Sequence, residues 1–380
     1  MSTSQESKKL VSKLLAMADV KINGTRPQDI KVNNEEFYNL VLARGSIAIG
    51  ETYMEEYWQA NKLDVLFDKV LRAGLEDKVQ STLKLQMAKI ALTARLTNAQ
   101  MGKRSYKNAQ AHYDIGNDLY EPMLGKTMAY TCAYWQWGAK TLDQAQTDKF
   151  ELVCKKLGLK RGMKVLDPGC GWGGLAMYMA KNYGCEVVCF TPAHEQIAYI
   201  KAHAKGAKVK AITTTWQDYN STTKFDRIAS IGMMEHVGPK NYRAYLAKMS
   251  SILKDDGLMI LHTIGRNHSA LHEDPWTDKY IFPGAVLPSV KQLASALEGT
   301  FILEDWHNMG INYDKTLLAW HNNFKKSYPG LNHDKYDKRF YLMWEYYLLV
   351  CAGAFRARRN QLWQIVLSKN GAVGGYKSIR

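Results

Sequence analysis

The stretch Lys164-Val-Leu-Asp-Pro-Gly-Cys-Gly-Trp-Gly-Gly174 decides the fold of this 380-residue chain. A short apolar strand runs directly into a D-x-G-x-G-x-G turn, and a helical pattern over residues 175–182 follows. Glycines in such a turn let a ligand approach the backbone closely, and the start of the helix leaves N–H groups unpaired. Turns that bind NAD have the order G-x-G-x-x-G, with an acid about 20 residues later. Here the acid, Asp167, comes first and no acid ends the next strand, which favours S-adenosylmethionine over a dinucleotide.

The alternation of strand and helix continues beyond this turn. Strand patterns lie at residues 164–167, 186–191, 208–213, 227–231 and 258–263, with helical patterns after the first, second and fourth. Two later segments, 301–308 and 362–367, are candidates for further strands at one edge. Repeated strand–helix units are typical of a doubly wound parallel sheet, in which ligands bind beyond the carboxyl ends of the strands. We therefore predict an α/β fold with a Rossmann-like domain.

The N-terminal part of the chain has a different pattern. Helical spacing of apolar residues is found at residues 10–18, 35–43, 52–58 and 63–73, and the first of these segments carries interleaved lysines. Glycines separate the later segments. We predict a small helical domain over residues 1–95, a basic linker over residues 96–112, and the α/β domain over residues 113–380.

The charge of the chain indicates an anionic partner. Lys and Arg number 51 against 36 acidic residues, which gives a formal net charge of +15. The segment from residue 78 to residue 113 contains no acid, and its basic residues are Lys78, Lys84, Lys89, Arg95, Lys103, Arg104 and Lys107. Either nucleic acid or an acidic membrane face would match this charge, and a solvated basic linker is an equally good interpretation of the segment.

The sequence predicts a cytoplasmic protein that does not cross a membrane. The most apolar run, residues 340–355, is interrupted by Glu345 and is shorter than the ~20 residues that a spanning helix needs. The N-terminus lacks the apolar region and the cleavage site of a secretory signal. The six cysteines are too few and too scattered for a disulfide framework, so we expect reduced thiols.

Four motifs together resemble the cyclopropane-fatty-acyl-phospholipid synthases: YTCAYW (130–135), LDPGCGWGG (166–174), GMMEHVG (232–238) and LHTIG (261–265). The likeness begins at RGSIAIGETYMEEYW in the helical segment and ends with CAGAFRARRNQLWQ, so it covers nearly the whole chain. It implies a class I methyltransferase that uses S-adenosylmethionine to convert the cis double bond of an unsaturated phospholipid chain into a cyclopropane ring. It further implies a homodimer at the inner face of an anionic membrane, with no nucleic-acid partner.

The resemblance also implies the residues that bind S-adenosylmethionine. They come from the YTCAYW motif, the glycine turn, the end of the second strand and the segment after the third: Tyr130, Thr131, Leu166, Asp167, Gly169, Gly171, Gly173, Gly174, Thr191, Gln196, Trp216 and Gln217. These residue types suit the ligand. The turn can hold the methionine part, the indole offers a flat face for adenine, and the Thr and Gln side chains can hydrogen-bond ribose or amino-acid atoms.

Cyclopropane formation requires a site that excludes water, a base and groups that tolerate a cation. The resemblance implies that bound bicarbonate is the base, held by Cys132, Glu235, His262, Ile264 and Tyr313. Aromatic faces can stabilise the positive charge, and the candidates are Tyr130, Tyr134, Trp135, Tyr280 and Tyr313. Cys351 occupies the position at which family members have been described as carrying a catalytic cysteine. A thiolate would trap the cation, so a buried structural thiol is the alternative interpretation of Cys351.

The histidines do not predict a metal site. His236, His262 and His307 form no pair with ligand spacing on a helix, and methyl transfer to an alkene needs no Lewis acid. We therefore predict no metal.

Two departures from the family pattern keep alternatives open. Pro168 follows the motif aspartate where Ile or Val is usual, and Cys189-Phe-Thr-Pro-Ala193 replaces a segment with glycine and serine. A lipid-binding protein that no longer catalyses is therefore one alternative. A methyltransferase that leaves a methyl-branched or methylene chain is another, and an RNA methyltransferase is a third, which only the net charge supports.

Overall fold

The computed structural model describes residues 3–75 and 115–380. The predicted basic linker and the acid-free segment before it lie outside the described residues. The helices are α1 Thr3–Met17, α2 Glu36–Arg44, α3 Ser46–Met54, α4 Leu63–Arg72, α5 Asn117–Leu124, α6 Leu142–Lys156, α7 Gly174–Tyr183, α8 His194–His203, α9 Met234–Val237, α10 Tyr242–Ile252, α11 Pro275–Tyr280, α12 Val290–Leu297, α13 Ile311–Ser327 and α14 Lys338–Arg356. The strands are β1 Ile30–Val32, β2 Trp58–Ala60, β3 Lys164–Pro168, β4 Glu186–Thr191, β5 Val209–Thr213, β6 Phe225–Ile231, β7 Leu253–Arg266, β8 Ile302–Asn308 and β9 Asn360–Ser368.

The chain forms two compact units. Of the described residues, 3–75, 272–283 and 317–360 form the first unit, and 115–271, 284–316 and 361–380 form the second. The first unit is therefore built from three separate segments, whereas the sequence patterns predicted a single helical segment over residues 1–95. Helix α13 begins in the second unit and ends in the first.

The last long helix, α14, belongs to the first unit because of close packing that the local pattern did not indicate. A Cβ at Gly353 would lie 2.8 Å from the Asp64 carbonyl oxygen, so only a glycine lets α14 approach α4 this closely. The Arg356 guanidinium also donates to the Asp64 carboxylate at 2.7 Å. This contact joins residues 292 positions apart in the chain.

The predicted helix over residues 52–58 is wrong in its bounds. Helix α3 ends at Met54, and Trp58 instead pairs with Val32 in the antiparallel β1–β2 ribbon. The Trp58 indole is 2% exposed, and its N–H donates to the Ile49 carbonyl at 3.1 Å. Burial of this indole beneath α3 outweighs continuation of the helix.

The second unit contains a seven-stranded sheet in the order β5-β4-β3-β6-β7-β9-β8. Neighbouring strands in the series β5, β4, β3, β6 and β7 pair in parallel, whereas β8 and β9 pair in antiparallel orientation. The predicted doubly wound α/β fold is thereby confirmed, as are the two late strands at one edge. Strand β9 is buried almost throughout, whereas β8 exposes Ile302 and Leu303 about halfway, which is why β9 lies inside and β8 forms the edge.

The parallel register aligns the carboxyl ends of the central strands. Leu166 of β3 faces Val188 of β4, and Ile231 of β6 faces His262 of β7. The segments that leave β3, β4, β6 and β7 therefore reach the same edge of the sheet, where ligands of such folds bind. Among the described helices, none is both long and apolar enough to cross a bilayer.

Candidate active site

The glycine turn after β3 has room for a ligand at one position and is tightly packed at another. Gly171 has a φ of +54°, and a Cβ built on it would meet no atom within 4 Å. A Cβ at Gly174, by contrast, would lie 2.2 Å from the Thr127 carbonyl oxygen. The turn thus combines a fixed backbone with a side that a ligand can approach closely.

Asp167 lies at the end of β3 and is 2% exposed. Its Oδ2 atom has no hydrogen-bond partner among the described residues. Burial raises the pKa of this carboxyl to about 7, and the charge of Lys149 partly opposes the rise. A buried acceptor without a partner, next to an open glycine turn, suits a ligand that carries N–H or O–H donors.

The end of β4 carries a buried hydroxyl–amide pair. Thr191 Oγ1 donates to Gln196 Oε1 at 2.7 Å, and the Gln196 amide nitrogen has no partner among the described residues. Ala193 gives α8 no side-chain cap, but its N–H contacts Thr191 Oγ1 at 3.3 Å, so the threonine takes over part of the capping role. The structure therefore brings the predicted pair Thr191 and Gln196 together, with one donor left for a ligand.

The altered segment before this pair packs into the protein core. Phe190 is 1% exposed and stacks on Tyr219 with 4.8 Å between the ring centroids. Cys189 is fully buried on the other face of the sheet. The Phe190 carbonyl oxygen accepts the N–H groups of Gly169 and Cys170, so this segment fixes the backbone of the glycine turn.

Trp216 and Gln217 follow β5, as predicted. The Trp216 ring is 6% exposed and meets the Tyr245 ring edge-on at 5.4 Å. Its indole N–H is buried and has no acceptor among the described residues. The Gln217 carbonyl oxygen accepts a hydrogen bond from Lys248 at 2.6 Å, which holds this segment against α10.

A second group of polar atoms lies at the ends of β6 and β7. Glu235, on α9, accepts the Ile264 N–H through Oε1 at 2.7 Å, while Oε2 has no partner among the described residues. Burial raises the pKa of Glu235 to about 7, against the opposing effect of the hydrogen bond from Ile264. The carboxyl group thus has one fixed oxygen and one oxygen that can accept a ligand's hydrogen.

His262 presents the complementary group. Its Nδ1 lies 3.2 Å from the Gln364 amide nitrogen, and its Nε2 is buried with no partner among the described residues. Burial and nearby positive charge hold the pKa of His262 well below its ordinary value, so the ring is neutral. If the Gln364 amide donates to Nδ1, the ring hydrogen lies on Nε2, which can then donate to a ligand.

The segment that contains Cys132 is held by helix α13. Thr316 Oγ1 accepts the Ala133 N–H at 3.2 Å and the Trp135 indole N–H at 3.0 Å, and it lies 3.8 Å from the Cys132 sulfur. Cys132 is fully buried, and burial raises its pKa, so it is a neutral thiol. Tyr313, 7% exposed, lies on the same helix one turn before Thr316.

The same segment is also held by helix α6, through two residues that the sequence analysis did not single out. The Gln146 amide donates to the carbonyl oxygens of Ala129 and Thr131, and Lys149 Nζ donates to Thr131 Oγ1 at 2.9 Å. Both side chains are almost completely buried. Their signal in the sequence was polar residues three apart on the buried face of a helix, which is unusual unless they have a specific partner.

Two of the predicted residues belong to the first unit. Cys351 lies on α14, where burial and the acids Glu273 and Asp274 raise its pKa to about 12. Tyr280 lies on α11, and its hydroxyl donates to Glu51 at 3.0 Å. The other predicted site residues all lie in the second unit.

The arrangement fits S-adenosylmethionine and does not resemble a metal centre. At or just after the ends of β3, β4 and β5, respectively, the structure has an unpartnered buried acceptor on Asp167 and unpartnered buried donors on Gln196 and Trp216, counted among the described residues. Within residues 3–75 and 115–380, no three His, Cys, Asp or Glu side chains are grouped so that they could hold a metal ion. This sheet, with its parallel strands β5 to β7 and its antiparallel β9–β8 edge, and this D-x-G-x-G-x-G turn are the architecture of a class I S-adenosylmethionine-dependent methyltransferase.

Similarity to known proteins then gives the family. Residues 100–365 match the family model described as mycolic acid cyclopropane synthetase, and the chain belongs to this family. It is 47% identical over 372 residues to the cyclopropane-fatty-acyl-phospholipid synthase of Escherichia coli (strain K12), covering 98% of this chain and 96% of that one. It is 34% identical over 273 residues to a probable fatty acid methyltransferase of Pseudomonas putida, 69% of each chain.

A solved structure supports both the methyltransferase fold and the family assignment. Mycolic acid cyclopropane synthase CmaA1, crystallised with SAH and CTAB, is 30% identical and matches with a TM-score of 0.64. The match covers 70% of this chain and 98% of that one. The predicted resemblance to the cyclopropane synthases is therefore confirmed.

Proposed function

We propose that this enzyme transfers a methylene unit, derived from the methyl group of S-adenosylmethionine, to the cis double bond of unsaturated phospholipid acyl chains and closes a cyclopropane ring. The observation that carries the proposal is that Glu235 Oε2 and His262 Nε2 are both buried without a partner among the described residues, at the edge of the sheet that holds the glycine turn. This pair complements a small oxyanion that carries one hydrogen, such as bicarbonate.

We assign the cofactor to the residues around the glycine turn. S-adenosylmethionine, when bound, supplies an electrophilic methyl group on a sulfonium. Gly171 leaves space for its methionine part, and Asp167 can accept hydrogen bonds from its donors. Gln196 can donate to its ribose or amino-acid oxygens, and the Trp216 indole can contact its adenine.

We assign the role of the base to bicarbonate, bound by the polar residues at the ends of β6 and β7. Glu235 Oε2 can accept the hydroxyl hydrogen of the ion, and His262 Nε2–H and the neutral Cys132 thiol can donate to its oxygens. The Ile264 N–H is already engaged by Glu235, so this backbone group orients the carboxylate rather than the ion. Bound in this way, the ion supplies the proton acceptor that ring closure requires.

Other residues exclude water and stabilise positive charge. An alkene is a weak nucleophile, and holding its carbons within ~3.5 Å of the methyl group is the main help that a protein can give. We assign this role to the tightly held segment of residues 130–135, whose Tyr130, Tyr134 and Trp135 rings, with Tyr313, can face developing positive charge. Cys351 takes no part, because a thiol with a pKa of about 12 is not a thiolate at neutral pH.

We further propose that the protein acts as a homodimer, peripherally bound at the cytoplasmic face of an anionic membrane. The N-terminal domain predicted over residues 1–95, together with residues 272–283 and 317–360 of the first unit, would contact lipid, and the predicted linker 96–112 would join it to the predicted methyltransferase domain within residues 113–380. The net charge of +15 supports attraction to anionic lipid, at about 1 kcal/mol for each basic residue near the surface.

The test uses the purified chain with S-adenosylmethionine, bicarbonate and liposomes of an unsaturated phospholipid. The released acyl chains are analysed by gas chromatography with mass spectrometry against standards, because a gain of one CH₂ also fits a methylene chain. A cyclopropane chain that forms only with all three components supports the proposal. A methyl-branched or methylene product would replace ring closure with simple alkylation, and no product from a folded, liposome-bound enzyme would favour the non-catalytic alternative.

A further inference from the structure

Lys149 is a buried basic residue with no carboxylate in direct contact among the described residues, and the nearest acid that acts on it is the buried Asp167. The side chain lies on α6 and is 1% exposed. Its Nζ donates to Thr131 Oγ1 at 2.9 Å and lies 4.4 Å from the centre of the Phe150 ring. Among the described residues, no carboxylate oxygen lies within 4.0 Å of this nitrogen. An ammonium has three N–H donors, and only one of them is used by the described protein atoms.

A second buried lysine on α6 has partners within the protein that compensate the loss of its hydration. Lys156, seven residues further along α6, is also about 1% exposed. Its Nζ lies 3.0 Å from His307 Nδ1 and 4.0 Å from an Asp305 oxygen. Lys156 therefore has both a hydrogen-bond partner and a counter-charge within the protein, whereas Lys149 has only the hydroxyl of Thr131.

Lys149 interacts with both parts of the site, the glycine turn and the polar residues at the ends of β6 and β7. Its hydrogen-bond partner, Thr131, immediately precedes Cys132, and its charge acts on Asp167 at the glycine turn and on His262 at the end of β7. Burial lowers the pKa of Lys149 to about 7, so the charge is only partly retained at neutral pH in the absence of an anion. Removing an ammonium from water is strongly unfavourable unless a partner compensates.

We propose that Lys149 is the counter-charge for a carboxylate-type anion bound at this site. The anion is either the α-carboxylate of the cofactor's methionine part or bicarbonate, which share the same planar chemistry. The inference rests on the proposed function, because both anions come from it. The two N–H donors that Lys149 does not use toward described residues can bind such an anion, which then supplies the direct ion pair that Asp167 does not make.

The experiment compares Lys149→Met, Lys149→Gln and Lys149→Arg with the control Lys155→Met, which removes a half-exposed charge from the same helix. Calorimetric titration measures the binding of S-adenosylhomocysteine and of 5′-methylthioadenosine, which lacks the amino-acid part. The bicarbonate concentration for half-maximal turnover is measured on unsaturated liposomes. Circular dichroism and thermal unfolding verify that each variant is folded.

Each source of the anion gives a distinct result. If the partner is the cofactor carboxylate, Lys149→Met and Lys149→Gln weaken S-adenosylhomocysteine at least tenfold and leave 5′-methylthioadenosine unchanged. If it is bicarbonate, the same variants raise the half-saturating bicarbonate concentration at least tenfold with unchanged cofactor affinity. In both cases Lys149→Arg retains most of the function, and Lys155→Met changes neither quantity.

The glutamine variant keeps the inference refutable. It preserves a neutral donor for Thr131 and removes the charge, so wild-type behaviour of folded Lys149→Gln in both measurements overturns the counter-charge role even if Lys149→Met does not fold. A wild-type enzyme that binds no S-adenosylhomocysteine and makes no product contradicts the proposed function instead. The two failures are thus distinguishable.

Discussion

Replacement of Glu235 by glutamine removes one oxygen acceptor and leaves the rest of the site in place. The amide oxygen can keep the 2.7 Å hydrogen bond from the Ile264 N–H, while an NH₂ group replaces Oε2. That group donates and cannot accept the hydroxyl hydrogen of bicarbonate. General acid–base groups contribute about 10²–10⁴-fold to rate, so we expect turnover to fall at least 100-fold. Affinity for S-adenosylhomocysteine should stay within about threefold, because Glu235 is not among the proposed cofactor contacts.

The same substitution predicts a change in how stability depends on pH. Glu235 has a folded-state pKa of about 7 against an ordinary value of 4.5, because burial disfavours the carboxylate. The folded state therefore binds the proton more tightly, and the wild type loses stability as pH rises from 4.5 to 7. For these two values the loss between pH 5 and pH 8 is on the order of 2–3 kcal/mol. Glutamine does not titrate, so the variant should gain that amount relative to the wild type over this interval.

Two assays check this reasoning. Initial rates of cyclopropane formation are measured from pH 6 to pH 8.5 with the concentration of free bicarbonate held constant at each pH. Urea unfolding of both proteins at pH 5 and pH 8 gives the relative stability. A rate within threefold of the wild type would remove Glu235 from the mechanism. An equal stability difference at the two pH values would show that the carboxyl is not held in a desolvated environment.

The remaining predictions concern the thiol, the aspartate and the glycine turn. Cys351→Ser should retain more than half of the wild-type rate, and complete loss in a folded protein would restore a catalytic role for Cys351. Asp167→Asn should weaken S-adenosylhomocysteine at least tenfold in a calorimetric titration, and unchanged affinity would remove Asp167 from the cofactor site. Gly171→Ala should cost about 1–2 kcal/mol of stability through its left-handed backbone and should also weaken the same ligand, because the added Cβ enters open space where the cofactor binds. Gly174→Ala should instead lower the melting temperature clearly, since its Cβ would lie 2.2 Å from the Thr127 carbonyl, and equal melting temperatures of the two variants would contradict this packing.

Much of the fold was readable from short-range patterns. The five parallel strands were predicted within a few residues, except that β7 begins earlier, at Leu253. This succeeded because buried parallel strands form continuous apolar runs between glycine turns. The turn Asp167 to Gly174 likewise indicated its cofactor from the order of its residues alone.

The grouping of the segments depended on contacts that no local pattern reports. Helix α14 joins the first unit because Gly353 packs on α4, nearly 300 residues earlier in the chain. Trp58 is not in the helix predicted for it, because its indole is buried beneath α3. In both cases, side chains distant in sequence exclude water together, and this outweighs local propensity.

By itself, the sequence determined the α/β class, the strand–turn–helix at residues 164–174 and the family motifs. Only the tertiary structure decided which polar atoms are buried without a partner. It pairs Glu235 with Ile264 and His262 with Gln364, and it places Lys149 against Thr131. The physical reason is that charge and hydrogen-bonding capacity depend on desolvation. Desolvation is set by every segment that packs around a group, so it exists only once the chain has folded.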